Sequence, residues 1–224
     1  LSTIFEVPTR DDRGKVNDFR ISILLSGKHG RGSNLTALFE ATVSGRIPRA
    51  EIVQVIGTHP ASPALDRARS LGLHVDVIDP KAADFDDELI CCIDTQSPQV
   101  ICLAGYMRKV PAPVVAKYRH RILNIHPGLL PSFAGKGMYG AYVHQAVIDY
   151  GAKITGCTVH LIDEDYDTGP IILQKPVPVL EGDTAESLGA RVLIAEHQAY
   201  PEALQLIAEG KVTVEGRIVH IKPD

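Results

Sequence analysis

Ile21-Ser22-Ile23-Leu24-Leu25-Ser26-Gly27-Lys28-His29-Gly30-Arg31-Gly32-Ser33-Asn34-Leu35 is the stretch whose reading decides the fold. Ile21 to Leu25 is an apolar run of strand length that stops at Ser26-Gly27. A helix starts near Ser33 and sets Leu35, Leu38 and Phe39 on one face. Glycines between strand and helix let the backbone turn tightly and approach a ligand closely. Unpaired amides at a helix start favour an anion, and Ser33 and Asn34 add side-chain donors. The loop is not a Walker loop, because G-x-x-x-x-G-K-[ST] does not fit. It also falls short of a dinucleotide fingerprint, since Leu35 stands where the third glycine belongs. Two readings stay open at this point: a phosphate cradle, or a glycine-rich turn capped by Ser33 or Asn34.

Working outward, strands and helices alternate. Glu51 to Ile56 reads as a strand, residues 62–71 as a helix, Leu73 to Ile78 as a short strand and Phe85 to Gln96 as a helix. Val100 to Ala104 then follows as a buried strand. This alternation predicts parallel βαβ units, a Rossmann-like, mononucleotide-binding half over residues 20–120. Residues 1–19 are polar without a clear period and are expected to form an N-terminal extension. The half from 121 to 224 has another texture. Arg121 to Ile125 is a strand that Pro127 ends, and residues 128–140 are a loop rich in Gly and Pro. Ala141 to Tyr150 is a helix. Cys157 to Ile162 and Ile171 to Val179 are strands around an acidic turn. Asp183-Thr184-Ala185-Glu186 reads as a capping box opening a long helix towards Gly210, which Pro201 should kink or break. Val212 to Val214 and Arg217 to Ile221 flank Glu215-Gly216 as a terminal hairpin. The expected class is α/β: a Rossmann-like, mostly parallel sheet with flanking helices, and a C-terminal part with antiparallel strands, a long helix and a terminal hairpin.

Composition narrows the function. The 23 Lys and Arg against 27 Asp and Glu leave a net charge of −4, so no general basic field recruits nucleic acid. The apolar runs are too short to span a bilayer, and the N-terminus lacks the long apolar stretch of a signal peptide. Cys91, Cys92, Cys102 and Cys157 form no C-x-x-C pair and no zinc-finger spacing. They are expected to be buried free thiols in a reducing cytoplasm, with no metal bound.

Two further motifs carry chemistry. In Leu123-Asn124-Ile125-His126-Pro127-Gly128-Leu129-Leu130-Pro131, residues two apart on a strand share a face. Asn124 and His126 therefore project side by side at a strand's carboxyl end, where open α/β sheets keep ligands. An amide donor beside an imidazole can hold an oxyanion and move a proton. A lone histidine is more often structural; the neighbouring Asn, the strand end and the Gly/Pro loop favour function. The second motif is the turn Asp163-Glu164-Asp165-Tyr166-Asp167-Thr168-Gly169. It is a poor calcium loop, because Thr168 replaces the glycine and Gln174 the bidentate glutamate. It reads either as a solvated hairpin turn or as one that turns Asp167 inward to raise the pKa of a histidine.

Together these residues resemble the phosphoribosylglycinamide formyltransferase family, the folate-dependent enzymes of purine synthesis. The resemblance runs from about Ile21 to about Ile221. Its landmarks are Gly32-Ser33-Asn34-Leu35, Leu103-Ala104-Gly105-Tyr106-Met107-Arg108, Asn124-Ile125-His126-Pro127, Thr158-Val159-His160, Asp167-Thr168-Gly169-Pro170 and Glu196-His197. It implies a formyltransferase domain over 20–224, with the folate-binding and catalytic half at 121–224. It implies formyl transfer from 10-formyltetrahydrofolate, as co-substrate, to the amine of glycinamide ribonucleotide, with no metal. Gly32, Ser33 and Asn34 would bind the phosphate, and Glu196 the same substrate. Met107, Arg108, Lys109 and Val110 would line the folate pocket with Asn124, Asp163, Glu164, Asp165, Tyr166 and Asp167. Asn124, protonated His126 and Asp167 would be the catalytic trio.

The chain departs from some members in three places. Lys28-His29-Gly30 lengthens the phosphate loop. Gly135 to Gly140 replaces a shorter histidine-containing loop. The arginine that meets the folate glutamate tail has no clear counterpart near residues 80–84, where Lys81 is the candidate. The expected partners are small molecules, with neither nucleic acid nor membrane, for a monomer or homodimer. Rivals are a 10-formyltetrahydrofolate hydrolase, a methionyl-tRNA formyltransferase and a non-catalytic nucleotide-binding module. The first two families carry an additional domain, which this sequence is not expected to hold.

Overall fold

The computed structural model describes residues 2–3, 19–28 and 30–223. In chain order the elements are β1 (Ser2–Thr3), β2 (Phe19–Leu25), α1 (Ser33–Val43), β3 (Ala50–Gly57), α2 (Pro63–Ser70), β4 (Val75–Val77), α3 (Phe85–Gln96), β5 (Val100–Leu103), α4 (Ala112–Lys117), β6 (Ile122–His126), α5 (Ala141–Tyr150), β7 (Ile154–Leu161), β8 (Ile171–Pro178), α6 (Ala185–Ala208), β9 (Val212–Glu215) and β10 (Ile218–Ile221).

Seven strands form one sheet in the order β4-β3-β2-β5-β6-β7-β8. The first five run parallel; β7 and β8 are antiparallel to their neighbours. The two halves read from sequence thus share a single sheet. Both its faces are covered, which is why β5 is apolar throughout and β2 is apolar but for Arg20 and Ser22, both hydrogen-bonded. Ile21, Ile23 and Leu25 face one core with α1, α2, α5 and α6, while Leu24 faces another with α3 and α4. Full burial of each such side chain contributes roughly 1.5–3 kcal/mol.

Chain order reverses between β2 and β5, so the ends of these strands flank a topological switch point. The crossing is laced there: Ser26 N donates to Gly105 O at 3.3 Å and Met107 N to Ser26 Oγ at 2.5 Å.

Several expectations shift. Phe19 is fully buried in β2, and Ser2–Thr3 pair with β9; residues 4–18 of the expected extension lie outside the described residues. The short helix α4 was not anticipated, since six residues give too little periodicity. The capping box sits one residue later than read: Ser187 N donates to Thr184 Oγ1 and Thr184 N to Ser187 Oγ. Asp183 instead accepts from Ser187 Oγ and Arg191. Pro201 does not end α6, which runs through it to Ala208. Pro201 and its neighbours Ala199, Tyr200, Ala203 and Leu204 are buried, so packing holds the helix across the missing amide. Among the described residues, no helix is long and apolar enough to cross a membrane.

Candidate active site

The β2–α1 loop ends at Gly32, the N-cap of α1, with φ 73°. A Cβ there would stand 3.2 Å from both Cα and Cβ of Ala64, a tight contact, and the positive φ favours glycine. No side chain caps the helix. The reading of Ser33 or Asn34 as a cap is therefore corrected. Thr36 N makes the first bond back to Gly32 O, leaving the amides of residues 33–35 without intrahelical partners. Lys28 and Arg31 are exposed on the loop. Asn34 Nδ2 donates to Glu196 Oε2 at 2.8 Å, which ties α1 to α6. Glu196 is buried, and burial raises its pKa against the pull of Asn34. The buried Oδ1 of Asn34 has no partner.

Two strands across the sheet, roughly 10 Å away at normal strand spacing, β6 ends in Asn124 and His126. Antiparallel pairing sets Asn124 opposite His160 and His126 opposite Thr158. His126 Nε2 lies 2.9 Å from Phe133 O. A carbonyl only accepts, so Nε2 carries the proton and Nδ1 offers its lone pair. Nδ1 faces Asp167 Oδ2 at 3.7 Å. His160 is the mirror case. Its Nδ1 donates to Leu161 O at 2.9 Å, leaving Nε2 to accept from Asn124 Nδ2 at 3.2 Å. That Nε2 also lies 3.7 Å from Asp167 Oδ1. The carboxylate thus addresses both histidines, one with each oxygen.

Asp167 sits in the left-handed region, φ 57°, as does Phe133, φ 52°. Such backbone is costly for side-chain residues and gathers at functional sites. Gly135 N donates to Asp167 Oδ2 at 2.9 Å, so the loop after β6 grips both the histidine and the acid. The acidic turn folds back closely on β7: a Cβ at Gly169 would meet Leu161 O at 1.9 Å. Asp163 braces the turn by accepting from Asp165 N and Thr168 Oγ1.

Burial holds the His126 pKa below the ordinary histidine value, against opposing pulls from Asp167 and the Phe133 carbonyl. Burial pushes His160 down as well. Asp167 does turn inward and favour the imidazolium, but desolvation is the larger effect. Burial and Asp167 thus pull the His126 imidazole in opposite directions, and its Nδ1 is left facing the Asp167 carboxylate.

The expected folate-lining segments face each other. Lys109 Nζ lies 3.9 Å from Asp165 Oδ1, and Arg119 pairs with Glu164 at 2.9 Å. Met107 and Tyr166 are exposed, whereas Val110 is buried in the core and can offer only its backbone. Arg108 bonds to Pro80 O at 3.2 Å and lies over Phe85 at 5.3 Å. It thereby reaches the loop of Lys81, whose side chain is exposed. Neither residue joins the histidine cluster. Sequence reasoning quoted Thr158-Val159-His160 without giving His160 a role. Its alternation with Thr158 on a strand beside β6 was the available signal.

The formyl transferase family pattern matches residues 19–204. The trifunctional purine biosynthetic protein adenosine-3 of Bos taurus is 44% identical over 92% of the chain, which spans 20% of that protein's length. A chloroplastic phosphoribosylglycinamide formyltransferase of Vigna unguiculata is 40% identical over 82% of this chain and 60% of its own. The crystal structure of glycinamide ribonucleotide transformylase 1 from Symbiobacterium toebii superposes with a TM-score of 0.84 at 41% identity, covering 91% of this chain and 94% of that one. With its switch-point loop, its histidine–carboxylate cluster and a family match over most of its length, the chain belongs to the formyl transferase family.

Proposed function

We propose that the chain transfers the formyl group of 10-formyltetrahydrofolate to the amine of N1-(5-phospho-D-ribosyl)glycinamide in de novo purine biosynthesis. The products are the formylglycinamide ribonucleotide and tetrahydrofolate. The observation that carries this reading is the meeting of Asn124, His126 and Asp167 at a strand end, two strands from an open helix start. The relatives' names specify the same reaction class.

In this reading the phosphate rests at Gly32, Ser33 and Asn34, against the unpaired amides that open α1, and Glu196 holds the sugar end of the same molecule. The folate enters between residues 107–110 and the acidic turn at 163–167, with Lys81 and Arg108 near its glutamate tail. The neutral amine attacks the formyl carbon, and the carbonyl electrons move to oxygen. Asn124 donates a hydrogen bond to the oxyanion. The amine proton passes to Nδ1 of His126, and Asp167 stabilises the imidazolium so formed. The cationic imidazole is then the second donor to the oxyanion, directly or through water. Collapse restores the C=O bond and breaks the bond to N10, which takes up the proton. The net proton transfer is from the amine to N10.

The proposed setting is the cytoplasm, which suits four free cysteines. The proposed partners are small molecules, without nucleic acid or membrane, for a monomer or homodimer. The test supplies 10-formyltetrahydrofolate with the ribonucleotide, with water alone, or with methionyl-tRNA, and follows tetrahydrofolate release. Release that depends on the ribonucleotide supports the reading. Equal release in water alone replaces it with the hydrolase.

A further inference from the structure

His126 owes its tautomer to one carbonyl, that of Phe133, on a loop with little regular structure. The start of that loop is held from the far edge of the sheet. Gln174 lies on β8, two strands from β6, and its Nε2 donates to Leu130 O at 2.9 Å and to Thr158 Oγ1 at 3.0 Å. Thr158 Oγ1 also accepts from Leu130 N at 3.0 Å and donates to Gly128 O at 2.7 Å. One hydroxyl proton, two lone pairs and both amide protons are thereby used. Every bond ends on residues 128–130 or on the strand opposite His126. Three residues further on, the same loop presents Phe133 O to Nε2.

We propose that Gln174 is a positioning residue: with Thr158 it fixes residues 128–130, so that Phe133 O meets His126 Nε2 and Nδ1 is left facing Asp167. Thr158 is fully buried and can neither rotate to water nor lose a partner without cost. Gln174 is exposed at its outer side, so it can be replaced without opening a core cavity. The charged or titratable groups around His126 are Asp167, His160 and His144; Gln174 touches none of them and acts only through the loop.

This inference rests on the formyl-transfer reading for its kinetic test alone. Gln174→Met keeps length and removes the donors; Gln174→Leu removes the amide without adding a charge that would itself move the His126 titration. Both variants are expected to lose kcat by roughly threefold to tenfold, the scale of one net hydrogen bond. KM for either substrate should stay within about twofold, because no binding group is touched. The Phe133 bond raises the His126 pKa. Loosening it should therefore move the His126 titration, followed by ring-nitrogen NMR, to lower pH. Wild-type kcat and an unmoved titration in both variants overturn the proposal, as does a change in KM alone or a kcat loss with unmoved titration. If the wild-type protein transfers no formyl group, the functional reading fails, while the NMR titration still decides the role of Gln174.

Discussion

Oδ2 of Asp167 lies 3.7 Å from Nδ1 of His126, and both side chains are largely enclosed. Burial holds the His126 pKa below the ordinary histidine value, while the carboxylate and the Phe133 carbonyl oppose that effect. Asp167→Asn keeps an oxygen for Gly135 N and removes only the charge. The His126 pKa then falls further, because the raising influence goes and desolvation stays. The acid limb of the kcat–pH profile should move to lower pH, and kcat should drop by roughly 10- to 100-fold as the imidazolium loses its counter-charge. A profile that superposes on the wild type would remove Asp167 from the proton path.

Asn124 and His126 are predicted to act on the oxyanion. Loss of one preorganised donor costs roughly 10²–10³ in rate. His126→Ala and Asn124→Ala should each lose at least that much in kcat, with unchanged far-UV circular dichroism. Near-normal turnover by either folded variant would sink the assignment.

Much of this was legible in the sequence because local pattern and tertiary context agree. The apolar runs of β2 and β5, the glycine loop and the Asn-x-His strand end each follow from short-range rules. His160 was not legible as a site residue, because its partner Asn124 is 36 positions away and only strand register joins them. The roles of Phe133 and Gly135 were hidden for another reason. They act through backbone atoms in a loop whose course no periodicity describes. The downward direction of the His126 pKa was not legible either, because a sequence shows which charge is near but not how much water is excluded.

Gly32 offers a test of the loop. Gly32→Ala places a side chain at φ 73°, at roughly 1–2 kcal/mol for left-handed backbone. The added Cβ also presses on the Cα of Ala64, so α1 and α2 must part by a few tenths of an ångström. A melting temperature lower by about 2–8 °C is expected for a chain of this size. KM for the ribonucleotide should rise several-fold, and KM for the folate should stay near the wild-type value, because the displaced amides face the phosphate. An equal rise in both would place the loop outside the phosphate site.

Glu196 separates stability from function. Its carboxylate is buried, and its pKa lies above the ordinary carboxylate value because desolvation outweighs the Asn34 hydrogen bond. A raised folded-state pKa means stability that is fully present below the unfolded value and lost as pH rises through the folded one. At neutral pH the charged group is therefore a cost to the fold. Glu196→Gln removes the charge and keeps an oxygen for Asn34 Nδ2. Its melting temperature should exceed that of the wild type at pH 7, and the gain should vanish in acid as the native carboxyl becomes protonated. The same substitution should raise KM for the ribonucleotide, because a neutral amide accepts a sugar hydroxyl less strongly than a carboxylate does. Melting curves across pH, set beside the two KM values, check both halves. A variant that is more stable at pH 7 yet binds the ribonucleotide normally would show that Glu196 does not touch the substrate.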